Sequence, residues 1–244
     1  EVVDASNGRV FRIGYGEPST PIGDVSQASI AELVELQFSR NEWLSRHARR
    51  HLQERCTPAP IANSDSDNPI SQSTISAGSS ASAQEALALL NNLRPEDDRQ
   101  AVRQLWAIYA VGGFSAVRDA QLDRIDAPEW VRFWTIQLAA DEVDPWPAEL
   151  RESIAGQLEN PTPLIERSLA STCQHRIRLG FADDVEPILA RLLQQPSREH
   201  QSEPGQQADR ELADAKLLAT LKWYAVEPLV ASRTPWILEQ LASI

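Results

Sequence analysis

Residues 41–56 read NEWLSRHARRHLQERC, and the recurrence of their spacing elsewhere in the chain decides the fold. Asn41 is a helix-capping residue, so the stretch predicts a helix from Asn41 as cap to about Arg55. Within it, Arg46-x-Ala48-x-x-x-Leu52 sets a small and an apolar residue four apart on one helix face, with an arginine lying away from them. The pattern returns as Arg103-x-Leu105-x-x-x-Tyr109, Arg132-x-Trp134-x-x-x-Leu138 and Arg167-x-Leu169-x-x-x-Cys173, at arginine spacings of 57, 29 and 35 residues. The latter two intervals fall in or near the period of stacked helical hairpins, and the first is longer by about one Ser-rich insertion. One hairpin cannot bury its apolar stripe alone, so neighbours stack and share a core. Positions two and six after each arginine are expected in that seam, and each arginine is expected to pair with a carboxylate of the adjacent repeat.

Outward from this stretch the chain reads as helix after helix. Ser29-Ile30-Ala31-Glu32 is a capping-box signature opening a short helix to about Phe38, which forms an αα-hairpin with the helix after Asn41. Further helices are predicted near 84–93, 96–111, 115–124, 127–140, 148–158, 162–179, 184–195, 209–227 and 235–243. Two polar, low-complexity stretches interrupt them, TPAPIANSDSDNPISQSTISAGSSASA at 57–83 and PSREHQSEPGQQA at 196–208, and both predict flexible loops. The first sixteen residues differ in kind. Asn7-Gly8 is turn chemistry, and Val10-Phe11-Arg12-Ile13 is strand material that nothing later pairs with, so it is read as the last strand of a preceding domain. The division expected is therefore 1–21, a remnant of a preceding β domain with its linker, and 22–244, a helical repeat domain.

Bulk composition excludes several functions. The 244 residues carry 35 acidic and 23 basic side chains, a formal net charge of −12, which disfavours nucleic-acid backbones and anionic membrane surfaces. Hydrophobic residues make up 42%, mean hydropathy is −0.36, and no stretch approaches the ~20 apolar residues of a membrane span. Only Lys216 and Lys222 are lysines, so the positive charge sits almost wholly on guanidinium groups suited to fixed, planar pairing. Cys56 and Cys173 are lone cysteines, which rules out a CxxC pair, a CxxCH haem attachment and a Cys-rich zinc site. The chain has no signal peptide at its start and no Met, and reads as an internal piece of a longer polypeptide.

Four features invite a functional reading. His47 and His51 stand at i, i+4, where two neutral imidazoles converge on one point, as a metal-dependent enzyme requires. Yet the Glu of HExxH is missing, the intervening Ala48-Arg49-Arg50 opposes a cation, and a third ligand would have to come from Glu54 or another helix. The plainer expectation puts His47 at a repeat seam and His51 on the solvent face. The arginines at 40, 46, 49, 50 and 55 form a local attractor for an acidic partner, or a solvated face paired with Glu32, Glu35, Glu42 and Glu54. Seven tryptophans offer platforms for a carbohydrate-binding module: Trp130 and Pro-flanked Trp146 are the candidates for exposure, while Trp106, Trp134 and Trp223 read as seam residues. Pro228 must kink or stop the helix after Trp223-Tyr224-Ala225-Val226-Glu227, with Glu227 expected to pair with an arginine of the preceding repeat. No GxSxG elbow, Gly-rich phosphate loop or paired DxD follows a strand, so no catalytic, cofactor-binding or metal-binding residue is assigned.

Three stretches together resemble one family. They are Asn7-Gly8-Arg9-Val10-Phe11-Arg12-Ile13 with Tyr15-Gly16, Glu32 to Gln37 leading through Trp43 to Arg55, and Trp223-Tyr224-Ala225-Val226-Glu227-Pro228-Leu229. Asp126-Ala127-Pro128-Glu129-Trp130-Val131-Arg132 is similar to the start of a HEAT-like inner helix. The family is that of the large exported membrane-bound dehydrogenase proteins of planctomycete-type bacteria. In it a β-propeller similar to sugar or sorbosone dehydrogenases precedes a HEAT-like domain, and a c-type cytochrome domain commonly follows. The resemblance implies an all-α, HEAT-like α-solenoid of about five hairpins after a short extended N-terminal segment. It implies a periplasmic or otherwise exported location and a non-catalytic scaffold or protein-interaction role linking propeller and cytochrome. Its partners would be neighbouring domains of the same polypeptide or another protein, without nucleic acid, membrane insertion or cofactor. Catalytic groups and haem ligands of the family would lie outside this sequence.

Overall fold

The computed structural model describes residues 24–57, 81–120, 125–159, 161–194 and 206–242. Among them every regular element is a helix: α1 (Ile30–Glu35), α2 (Glu42–Cys56), α3 (Ala81–Asn92), α4 (Asp98–Asp119), α5 (Glu129–Ala140), α6 (Ala148–Gly156), α7 (Pro163–Arg178), α8 (Ala182–Gln194), α9 (Gln206–Val226) and α10 (Val230–Ala242), with short 3₁₀ turns at 25–27, 36–38 and 227–229. The expected strand at residues 10–13, and most of the two expected loops, lie outside the described residues. Where those loops are described, Ala81–Ala83 already belong to α3 and Gln206 opens α9.

Local chemistry sets the helix ends. Ser29 Oγ accepts the Glu32 N–H at 3.2 Å while Glu32 Oε2 accepts the Ser29 N–H at 2.7 Å, a complete capping box. Asn41 caps α2 through Trp43 N–H, Asp97 caps α4 through Gln100 N–H, and Thr162 caps α7 with Pro163 in the first turn. Gly180, at φ 92°, ends α7: its N–H reaches Ile177 O, and Phe181 N–H reaches back to Arg176 O. Pro228 ends α9 at Val226 and starts a 3₁₀ turn, as its missing donor requires.

A difference from the sequence reading arises at 96–124, where two helices were expected. The structure has one run, α4, broken internally at Gly113 with φ 66° and ψ −165°. That backbone region belongs almost solely to glycine, so the chain turns within α4 without a separate connecting loop. The expected second helix corresponds to residues after this break, ending at Asp119 rather than 124. Residues 121–124 lie outside the described set.

Helices α2, α4, α5, α7 and α9 pack on one another in chain order, and α1 packs on α3, α6 on α8 and α8 on α10. One continuous apolar cluster runs from Val25 through Leu52, Leu105, Ile136, Leu169 and Leu189 to Ile237. Of the seam positions expected from the repeat, Ala48, Leu52, Leu105, Leu169 and Cys173 are fully enclosed, whereas Tyr109, Trp134 and Leu138 are only partly covered.

The repeat arginines divide into different roles. Arg103, buried in α4, reaches the preceding hairpin, pairing with Glu42 and donating to Ser39 O at 2.6 Å. This is the cross-repeat carboxylate pairing expected. Arg167 pairs with Asp214 of α9 at 3.0 Å. Buried Arg132 instead donates to Gln157, side chain and carbonyl, and Arg46 stays exposed on its own helix, pairing with Glu42 at 3.2 Å. A further buried arginine lies outside the pattern. Arg176 pairs with Asp184, donates to Glu142 O and Asp144 O, and is flanked by the rings of Trp146 and Phe181 at 5.0 and 4.2 Å.

Candidate functional site

An open cleft of ≈ 410 Å³ lies where the N-terminal ends of α2, α4 and α5 meet. Its lining comes from Glu42 of α2, one face of α4 (Asp98, Arg99, Val102, Arg103, Trp106) and Trp130 with Trp134 of α5. The spacings 98/99, 102/103 and 106, and the pair 130/134, are what a 3.6-residue repeat needs to turn all of them to one side.

The aromatic wall is interlocked edge to face. Trp106 and Trp134 meet at 4.8 Å and 85°, Phe133 meets Trp134 at 5.5 Å, and Trp130 meets Phe133 at 5.7 Å. Such geometry fixes ring orientations. Trp130 is 47% exposed, whereas Trp106 and Trp134 are partly buried against the core. Arg49 caps Trp106, with its guanidinium carbon 4.9 Å from the ring centre. Among the described residues no carboxylate forms an ion pair with Arg49, though the charge of Glu42 acts on it, and its Nε and Nη2 are enclosed without a hydrogen bond. Burial pulls its pKa down to about 10.

Charge in the cleft is balanced. Glu42 is held below the ordinary carboxylate range chiefly by hydrogen bonding to Arg103, with Arg46 assisting. Arg99 is 61% exposed and approaches Asp97 at 3.6 Å, and Asp98 is exposed beside it. The described lining therefore combines flat apolar faces with two carboxylate acceptors and two guanidinium donors, and contains no thiol, imidazole or hydroxyl. It can stack and hydrogen-bond a ligand.

The sequence candidates fall elsewhere or change role. His47 stacks on exposed Trp43 at 4.0 Å, and His51 lies 3.2 Å from Glu54 with its side chain only 23% exposed, less open than a solvent-face residue. The other Glu54 oxygen accepts from Arg50 at 2.7 Å. Among the described residues no three His, Cys, Asp or Glu groups converge as metal ligands. In the arginine run, Arg46 and Arg50 pair with Glu42 and Glu54, Arg55 donates to Ser26 O and Ala28 O, and Glu32 is occupied by its cap.

Two tryptophan assignments are corrected, Trp146 and Trp223. Trp146, expected to be exposed, is 2% exposed because its indole donates to Ala139 O at 2.9 Å and its backbone N–H to Asp184. Trp223, expected at a seam, is 56% exposed. Trp106 and Trp134 touch the core but also line the cleft. Glu227 is exposed, and among the described residues no arginine pairs with it. Arg233 instead bonds Asp183 and Glu186 of α8. Cys56 and Cys173 are both buried and unbridged, and desolvation pushes both thiols up, away from the reactive thiolate. The cleft itself escaped the sequence reading. Its signal was the Trp130/Trp134 pair at i, i+4 together with Trp106 one turn beyond Val102 and Arg103.

Comparison of the chain with family models, with curated proteins and with solved structures gives no match.

Proposed function

We propose that this chain is a non-catalytic helical-repeat scaffold: an α-solenoid of about five HEAT-like hairpins that holds neighbouring domains of an exported dehydrogenase-like protein, its propeller and cytochrome, in fixed relation. The observation that carries the architectural half is the chain-order packing of α2, α4, α5, α7 and α9, reinforced by Arg103 and Arg167, which join one helix layer to another. Such nearest-neighbour stacking gives an extended surface that other domains can lean against. Of helices adjacent in the chain, α1 packs on α2, α3 on α4, α4 on α5, α7 on α8 and α8 on α9, which supports hairpin-like neighbours, while α6 packs on α8 across α7. The tethering half, and the exported location, rest on the resemblance of the three stretches quoted above.

The test is made on the coding sequence around this chain and on its products. A propeller upstream and a CxxCH segment downstream are expected. Each, produced separately, is expected to co-elute with the helical domain. Flanking sequence that encodes neither domain would end the tethering role. A chelator is expected to leave the melting temperature unchanged; a drop, with stoichiometric metal in the purified protein, would favour a metal-dependent enzyme built on His47 and His51.

A further inference from the structure

Independently of the scaffold reading, we infer that the cleft between α2, α4 and α5 is a binding site for a neutral oligosaccharide, with one pyranose ring stacked on Trp130. Three properties of the lining select this ligand class. Its apolar surface is almost wholly indole: Trp106, Trp130 and Trp134, with Val102 the single aliphatic contributor. Grooves that take the aliphatic anchors of a helical peptide need deeper aliphatic pockets. Flat indole faces match the C–H faces of a sugar ring, and the edge-to-face contacts through Phe133 keep Trp130 from folding over the opening.

The polar lining is matched in sign, Glu42 and Asp98 against Arg99 and Arg103. A hydroxyl both donates and accepts, so a polyol can satisfy carboxylates and guanidiniums together. A net anion would meet the two carboxylates, and a net cation the two guanidiniums, at unfavourable cost. Not all four charged groups are equally free. Arg103 is held by Glu42 and Ser39 O, so its role is to fix Glu42, leaving exposed Asp98 and Arg99 to contact ligand. The remaining property is size: ≈ 410 Å³ lies within the roughly 300–1,000 Å³ typical of small-ligand clefts, and its open form suits a chain passing through.

The test is calorimetric titration of the full chain with cellotetraose, maltotetraose and chitotetraose, alongside tetragalacturonic acid and an acidic, aromatic peptide. At least one neutral tetrasaccharide is expected to bind with a Kd below about 10 mM. Trp130→Ala is expected to weaken it tenfold or more and Asp98→Asn severalfold, while Trp43→Ala, which alters an exposed indole outside the cleft, leaves it unchanged. Trp130 is exposed enough that its loss should spare the fold, and an unchanged melting temperature verifies this. Arg99→Ala serves as the second variant should Trp130→Ala unfold. Failure of all three neutral probes to bind, binding of the acid or the peptide alone, or sugar binding indifferent to the cleft variants would each overturn the assignment.

Discussion

Arg176 is buried and Arg49 partly so, with two of its guanidinium nitrogens enclosed, and their surroundings answer the charge in opposite ways. Arg176, 0% exposed, meets Asp184, two backbone carbonyls and two aromatic faces. Removing one member of such a buried pair strands the other without solvent, a loss of about 3–5 kcal/mol. Arg176→Met is therefore expected to lower stability by that amount in urea denaturation, and Asp184→Asn by less, because an amide oxygen can still accept the Trp146 N–H. Equal, small losses in both would show that solvent reaches the site. Arg49 has a tryptophan face, feels the charge of Glu42 without an ion pair among the described residues, and leaves two enclosed nitrogens without a hydrogen bond. Its folded value, about 10, lies below its ordinary one, so the unfolded chain holds the proton more tightly. Its burial cost is accordingly complete below pH 10 and is relieved only as pH rises above it. Replacement by a methionine of similar length is expected to leave stability at pH 7 unchanged or raise it by about 1 kcal/mol. A clear loss would mean that the contact with Trp106 outweighs desolvation.

At the scale of elements, Gly113 and the α2–α4 clamp make separate demands. Gly113→Ala meets open space, with no atom within 4 Å of the added Cβ, so any cost is backbone strain alone, about 1–3 kcal/mol for this φ/ψ region. A neutral result in denaturant titration would mean that the break in α4 can be reached by other angles. The clamp has a pH signature. Glu42 is depressed by Arg103, so its contribution is present above its ordinary value near 4.5 and is lost as pH falls through the lower folded value. Because Glu42 is 45% exposed, screening holds the effect to on the order of 1 kcal/mol or less. Glu42→Gln should thus be less stable than wild type at pH 7 and converge on it in acid; a gap independent of pH would assign the loss to packing. The ends of these elements were legible because they depend on neighbours in sequence: Ser29 with Glu32, Asn41 with Trp43, Pro228 after Val226. The break at Gly113 falls between the helices expected at 96–111 and 115–124, but its lack of a loop was not legible. The cleft was illegible because helical periodicity says which residues share a face of one helix. It does not say which three faces, 42, 98–106 and 130–134, are brought together. Trp146 was misread for a related reason, since its flanking prolines spoke of a loop while its covering partners, Ala139 and Asp184, lie 7 and 38 residues away.

Taken whole, the chain-order packing makes a claim about cooperativity. In a globule closed by contacts between distant segments, core amides exchange through one global opening and share one free energy. In a stack held by neighbours, the ends can open while the middle stays shut. The C-terminal end carries the signs of weak coverage: Leu217, Trp223, Tyr224, Val230 and Leu238 on α9 and α10 are all at least 41% exposed, and Arg233 and Pro235 interrupt α10. The middle carries fully enclosed Leu105, Ile136, Leu169 and Cys173 together with the Arg103 and Arg176 struts. Native-state hydrogen exchange is therefore expected to show α10 opening with the lowest free energy, α9 next, and α4, α5 and α7 highest. Arg103→Met is expected to lower protection in α2 and α4 while leaving α8 to α10 nearly unchanged, because the lost contacts join only the first layers. Uniform protection from α2 to α10, falling together in this variant, would identify a single cooperative globule and remove the physical basis for a repeat scaffold.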